Sequence, residues 1–348
     1  MTRAYADAGH KWNEALEHAE ISFRVTFRDR PQLFGELSFA TQPFDAPYLL
    51  IDGRDSELAG GPAALPPCPV IALGAGPAGD LADCCVPTVE AARRLIAAVE
   101  AHPLAAAVLV QLLRQMSGMT LAQGFVAESL AYGQLQGGAD HARWLAARQP
   151  LPVAPAGQVQ VTRDEGRLDI LLDRPAADNA IDRPMRDALA EAFQLAVIDE
   201  TITEVRLRGA GRSFSLGADL SEFGTTGDPA EAHRIRQLTL PAIWAAQCGD
   251  KLEVHVQGAC VGAGLEITAF SHHITAGPRA WFQLPELAMG LIPGAGGCVS
   301  LTRRIGRQRT AELVLSGRRL SVREALDWGL VDALVDDPAR DDGGSNIL

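Results

Sequence analysis

A chain of 348 residues with 47% apolar and 21% charged content holds one large or two ordinary globular domains and excludes a disordered protein. The formal charge of −12 argues against nucleic acid as the main partner, because such binding needs clustered cations. Lys11 and Lys251 are the only lysines, so a bound phosphate would meet arginine or backbone amides. The six cysteines form no CxxC pair or zinc-spaced cluster, and reduced buried thiols are expected, with no metal.

Residues 1–20 read as a polar arm without the apolar stretch of a leader, and no run of about 18 apolar residues suggests a membrane span. A cytoplasmic protein is expected. From 21 to 87 the text is strand-like and loop-rich, with ISFRVTF, LFGELSFA, PYLLIDG and PVIALG separated by Pro and Gly. Residues 88–148 turn helical: Ala92, Leu95, Ile96 and Val99 recur at helical spacing, Pro103 interrupts, and further runs follow. The proline-rich QPLPVAPAG marks a linker, set at 151–159. Gly74 to Gly79 matches GxGxxG, but Pro77 occupies the turn and no amphipathic helix follows; a loop is expected. Gly294–Gly297 lacks the Lys-Ser/Thr of a P-loop.

The second half, 160–335, opens with strand RLDILLD at 167–173 and a helix over about 183–200, capped by Asp182 with Pro184 in its first turn. A strand at 203–208, a glycine-bearing loop at 209–219, a helix around 230–247 and a strand at 252–257 follow. Ser321 and Glu324 have capping-box spacing, and Gly329 suits the helix stop. His272 and His273 begin a strand in which at most one faces a pocket, and a structural or solvent-facing role is expected of them. Alternating strands and helices imply an α/β fold.

Four segments carry the chemistry: GAGRSFSLGADLSEF (209–223), QGACVGAGLEITAF (257–270), WFQLPELAMGLIPGAGG (281–297) and RTAELVLSGRRLSVREALDWGLVDALV (309–335), preceded by DNAI at 178–181. Their order and spacing resemble the crotonase (enoyl-CoA hydratase/isomerase) family over about half the chain. The resemblance implies a spiral of β-β-α repeats acting on an acyl-CoA thioester, without a further cofactor. A thioester reacts at Cα or Cβ through an enolate, and two fixed amides stabilise the oxygen that gains charge. Glycine-flanked turns bring such amides close.

Matched to the family pattern, the donors are the N–H groups of Ala218, after Gly217, and Ala263, after Gly262. Glu266 and Glu286 fall where the family's hydratases place their two catalytic glutamates, as base and acid. Burial and like charge are expected to raise at least one of their pKa values. The stretch Leu216, Gly217, Asp219 and Leu220 resembles the family's CoA-lining segment, with Asp219 read as holding the loop in shape. The implied activity is hydration of a 2-enoyl-CoA, or the reverse dehydration. The same scaffold serves isomerases, acyl-CoA hydrolases, C–C lyases and decarboxylases, and a non-catalytic acyl-CoA-binding subunit is a reading of a different class. A homotrimer or dimer of trimers is implied by the resemblance alone.

The ending departs from the family. After Val335 only the polar tail DDPARDDGGSNIL remains, whereas residues 90–150 resemble the family's closing helices through to an Arg-x-Pro end. A tandem arrangement is therefore expected: a degenerate crotonase-like half at 21–150 whose helices cover an active core at 160–335.

Overall fold

The computed structural model describes residues 47–54, 65–76, 79, 81–149 and 154–336. The expected arm at 1–20, the strand patterns ISFRVTF and LFGELSFA and the polar tail from 337 lie outside the described residues.

The first described layer is a parallel sheet of β1 (Leu49–Asp52), β2 (Val70–Leu73) and β3 (Cys84–Val86), in the order β1-β2-β3. β2 is buried at every position, as a covered parallel strand requires. Two of these strands match PYLLIDG and PVIALG. The sequence does not announce β3, since three residues are too few to show a period. Beyond β2 the described residues Gly74-Ala75-Gly76 form a turn, and β3 is the next described strand.

Four helices follow: α1 (Val89–Ala101), α2 (Pro103–Met116), α3 (Leu121–Gln136) and α4 (Ala139–Ala147). The Thr88 hydroxyl caps α1 through the Ala91 amide, Pro103 occupies the first turn of α2, and Thr120 and Gln123 form a capping box on α3.

The second half begins with β4 (Gln158–Asp164) paired antiparallel to β5 (Arg167–Asp173). β4 overlaps the expected linker. Its side chains are largely exposed, so it shows no apolar face to read. Next come α5 (Arg183–Ile198), capped by Asp182 as expected, and β6 (Glu204–Gly209). The single helix expected over 230–247 is two, α6 (Pro229–Thr239) and α7 (Pro241–Ala245). Pro241 is the reason, since it pushes Leu240 into extended backbone.

The chain then alternates between two sheets. β7 (Leu252–Val256) leads to β8 (Ala259–Val261) and α8 (Ala263–Thr268); β9 (His273–Ala276) leads to β10 (Trp281–Gln283) and α9 (Gly297–Ile305). After α10 (Arg307–Ser316) come β11 (Leu320–Ser321), α11 (Val322–Asp327) and β12 (Ala333–Leu334). The sheets run β12-β9-β7-β6-β5-β4 and β11-β10-β8. This is the β-β-α spiral implied by the family resemblance. The Ser321 hydroxyl caps α11, and Gly329 takes a left-handed φ of 73° just beyond it. His273 lies 3.7 Å from Asp332.

One apolar core joins the two halves, running from Leu50, Ile71 and Leu113 to Leu168, Phe193 and Val314. An ion cluster centred on the buried Asp83 adds to it. Asp83 accepts from Arg114 on α2 at 2.5 Å and from Arg307 on α10 at 2.9 Å. Among the described residues, no single helix is long and apolar enough to cross a membrane.

Candidate active site

Two turns meet where β8 ends. Gly217 has φ 88° and Gly262 φ 49°, values that favour glycine, while Ala218 and Ala263 keep ordinary backbone. A Cβ on Gly217 would stand 2.8 Å from the Val261 carbonyl oxygen and 3.2 Å from the Ala263 nitrogen, so the turns pack backbone to backbone. The Ile181 amide donates to Gly217 O at 2.7 Å, and the Asp219 amide donates to Ile181 O at 2.9 Å. This parallel bridge flanks Ala218 and turns its own N–H to the opposite side. Ala263 is the first residue of α8, where an amide has no intrahelical acceptor.

Gly217→Ala should therefore destabilise the protein by roughly 2 kcal/mol or more, from the left-handed φ and the clash together. Thermal melting checks this. Turnover should fall as well, because the alanine forces the two turns apart.

The loop itself is braced from beneath. Asn179 Oδ1 accepts from the Arg174 amide at 2.8 Å, and Nδ2 donates to Ala210 O, Ser213 O and Phe214 O. Asp178 and Asn179 both take left-handed φ, near 48° and 55°, which Asn and Asp tolerate better than most residues. The DNAI element is thus a buried brace. Asp219 ties the loop to its surroundings: Oδ2 accepts from Arg174 at 2.6 Å and Oδ1 from the Ser221 amide at 2.8 Å.

All nine expected site residues line one cavity of about 660 Å³: Leu216, Gly217, Ala218, Asp219, Leu220, Gly262, Ala263, Glu266 and Glu286. Glu266, buried on α8, accepts through Oε2 from the Ala295 amide at 2.7 Å and the Gly297 amide at 2.8 Å. Glu286 begins the short helical turn Glu286–Met289. Its Oε2 is buried with no hydrogen-bond partner among the described residues, and its Oε1 lies 2.9 Å from where a Cβ on Gly262 would sit.

The sequence does not point to Glu128. This residue of α3 is buried, and its oxygens accept from the Gly296 amide at 2.7 Å and the Cys298 amide at 2.8 Å. The glycine run before α9, which is not a P-loop, thus spends its amides on two carboxylates of its own chain. Burial pushes all three carboxyls up. The Glu266 charge adds to the rise of Glu128 and of Glu286, while the loop amides pull Glu128 and Glu266 back down.

The first half also walls the cavity through Tyr132, Gln136 and His141. His141 is buried, hydrogen-bonds Met289 O through Nδ1 at 3.0 Å and stacks on Trp144. Arg148 donates to Leu220 O. A single sequence offers no local signal for these placements.

Residues 162–340 match the enoyl-CoA hydratase/isomerase family. The chain belongs to that family. It is 35% identical over 173 residues to a 2,3-dehydroadipyl-CoA hydratase of Escherichia coli, covering 49% of this chain and 66% of that protein. It is 32% identical over 173 residues to a mitochondrial enoyl-CoA hydratase of Pongo abelii, covering 47% of this chain and 56% of that one. An enoyl-CoA hydratase structure from Thermoplasma volcanium is 35% identical, with a TM-score of 0.46, over 51% of this chain and 72% of its own. The chain thus spans about three-fifths of the two curated relatives.

Proposed function

We propose that the protein adds water to a 2-enoyl-CoA, or removes it from a 3-hydroxyacyl-CoA, as a lyase that needs no cofactor beyond its thioester substrate. The observation that carries this reading is the convergence of Glu266, Glu286, Ala218 and Ala263 on one cavity. Glu266 as carboxylate takes a proton from water, and the oxygen bonds to Cβ. The electron pair of the double bond moves to the thioester oxygen, held by the Ala218 and Ala263 amides. Glu286 as carboxylic acid gives its proton to Cα. One proton has then passed from Glu286 to Glu266 and returns through solvent.

The Leu216–Leu220 stretch would line CoA. The α1–α4 helices would serve as the cover of the core at 160–335, closing a degenerate crotonase-like half at 21–150. A homotrimer or dimer of trimers is the assembly that family membership favours.

Crotonyl-CoA mixed with the purified chain should lose its enoyl absorbance, along a bell-shaped pH profile set by one ionised and one protonated glutamate. Glu266→Gln should reduce the rate by about 10²–10⁴-fold. A chain that binds CoA esters yet leaves every enoyl-CoA unchanged is a binding subunit, and the proposal fails.

A further inference from the structure

One charge in the cavity has no part in the hydration step. Arg236, on α6, lines the cavity beside Tyr132. Its Nε donates to Ser129 Oγ at 2.9 Å, Nη1 to Gln136 Oε1 at 3.1 Å and Nη2 to Ser129 O at 3.1 Å. Its Cζ stands 4.6 Å from the centre of the Tyr132 ring. Each of these partners is neutral. Among the described residues, the carboxylate whose charge reaches it is Glu128, and both Glu128 oxygens are committed to the Gly296 and Cys298 amides. Burial pulls the guanidinium below its ordinary pKa, the direction of a cation short of compensation.

A guanidinium has five N–H donors. Three are used, which leaves one on each Nη, the number that a bidentate carboxylate takes. Tyr132 places this cation relative to the chemistry. One edge of its ring packs on Gly294, where an added Cβ would stand 2.3 Å away, beside the Ala295 amide that binds Glu266; Arg236 packs on the same ring, and all of these residues line one cavity. A chain attached at the thioester and running past Tyr132 meets Arg236 at its far end.

We propose that Arg236 is a specificity-determining residue that receives a carboxylate at the distal end of the acyl group, so that the substrate is the CoA monothioester of a dicarboxylic acid. This rests on the acyl-CoA reading above and names its substrate class. Neutral hydrogen-bond partners hold the guanidinium in place, and the substrate supplies the missing negative charge.

Calorimetric titration of the full chain with saturated esters tests this without requiring turnover. Adipyl-CoA and suberyl-CoA are compared with hexanoyl-CoA and octanoyl-CoA, which match them in length but end in methyl. The wild type should bind the carboxylate-ended ester at least about tenfold more tightly in one pair. Arg236→Met should erase that ratio and leave free CoA binding unchanged, and Arg236→Lys should keep part of it. Equal or tighter binding of the methyl-ended esters by the wild type overturns the proposal, and this comparison decides even if a variant does not fold. Equal weakening of every ligand, free CoA included, places Arg236 on a CoA phosphate and also overturns it. A retained ratio with no hydration of the matching enoyl esters refutes the hydratase reading alone.

Discussion

Glu286→Gln should lower the hydration rate by about 10²–10⁴-fold while making the protein more heat-stable in alkaline buffer. The rate falls because an amide cannot deliver the proton to Cα. The stability gain follows from burial. The native Glu286 carboxyl titrates well above the ordinary value of 4.5, so the folded state keeps a proton that the unfolded chain releases. Its contribution to stability is intact below the unfolded pKa and is lost as pH rises through the folded one. Each pKa unit of elevation corresponds to about 1.4 kcal/mol, and glutamine removes the penalty without changing shape. Melting temperatures of the two proteins should therefore coincide near pH 4 and separate by a few degrees at pH 9, with the variant higher. A variant that melts lower than the wild type at pH 9 would show an ionised, well-compensated Glu286, contrary to this account.

Glu128→Ala should damage both stability and activity although Glu128 is assigned no proton transfer. Removing it leaves the Gly296 and Cys298 amides buried without acceptors, at about 1–3 kcal/mol each. The same loop supplies the Ala295 and Gly297 amides that orient Glu266, so turnover should fall roughly 10–100-fold. The pH profile separates positioning from simple unfolding. The Glu128 charge helps raise the Glu286 pKa, so its loss should shift the alkaline limb of the bell to lower pH. A variant that folds and keeps both limbs in place would assign Glu128 a purely structural part.

What the sequence shows and what it hides divides along physical lines. RLDILLD, Asp182 and the helix after it are readable because their signals lie within a few residues, and β5 spans the expected 167–173. Glu266 and Glu286 are readable through the family pattern, which sets each at a fixed spacing from the glycine-bearing segments. Glu128 is not, since its acceptor role depends on amides 168 and 170 residues away. Within Ala127-Glu128-Ser129 it looks like any helical glutamate. The break at Pro241 is legible by rule, yet the apolar spacing continues across it and suggests one helix. Arg236 shows the same limit from the other side: its neutral surroundings come from α3, over 100 residues earlier.

Because α3 and α4 line the cavity from the same polypeptide, the proposed cover over the thioester would act as a tethered partner. Its effective concentration is fixed by the chain and not by how much protein is in the tube. Specific activity should accordingly hold steady on serial dilution into the nanomolar range, and a steep decline would mean that a neighbouring molecule finishes the enclosure.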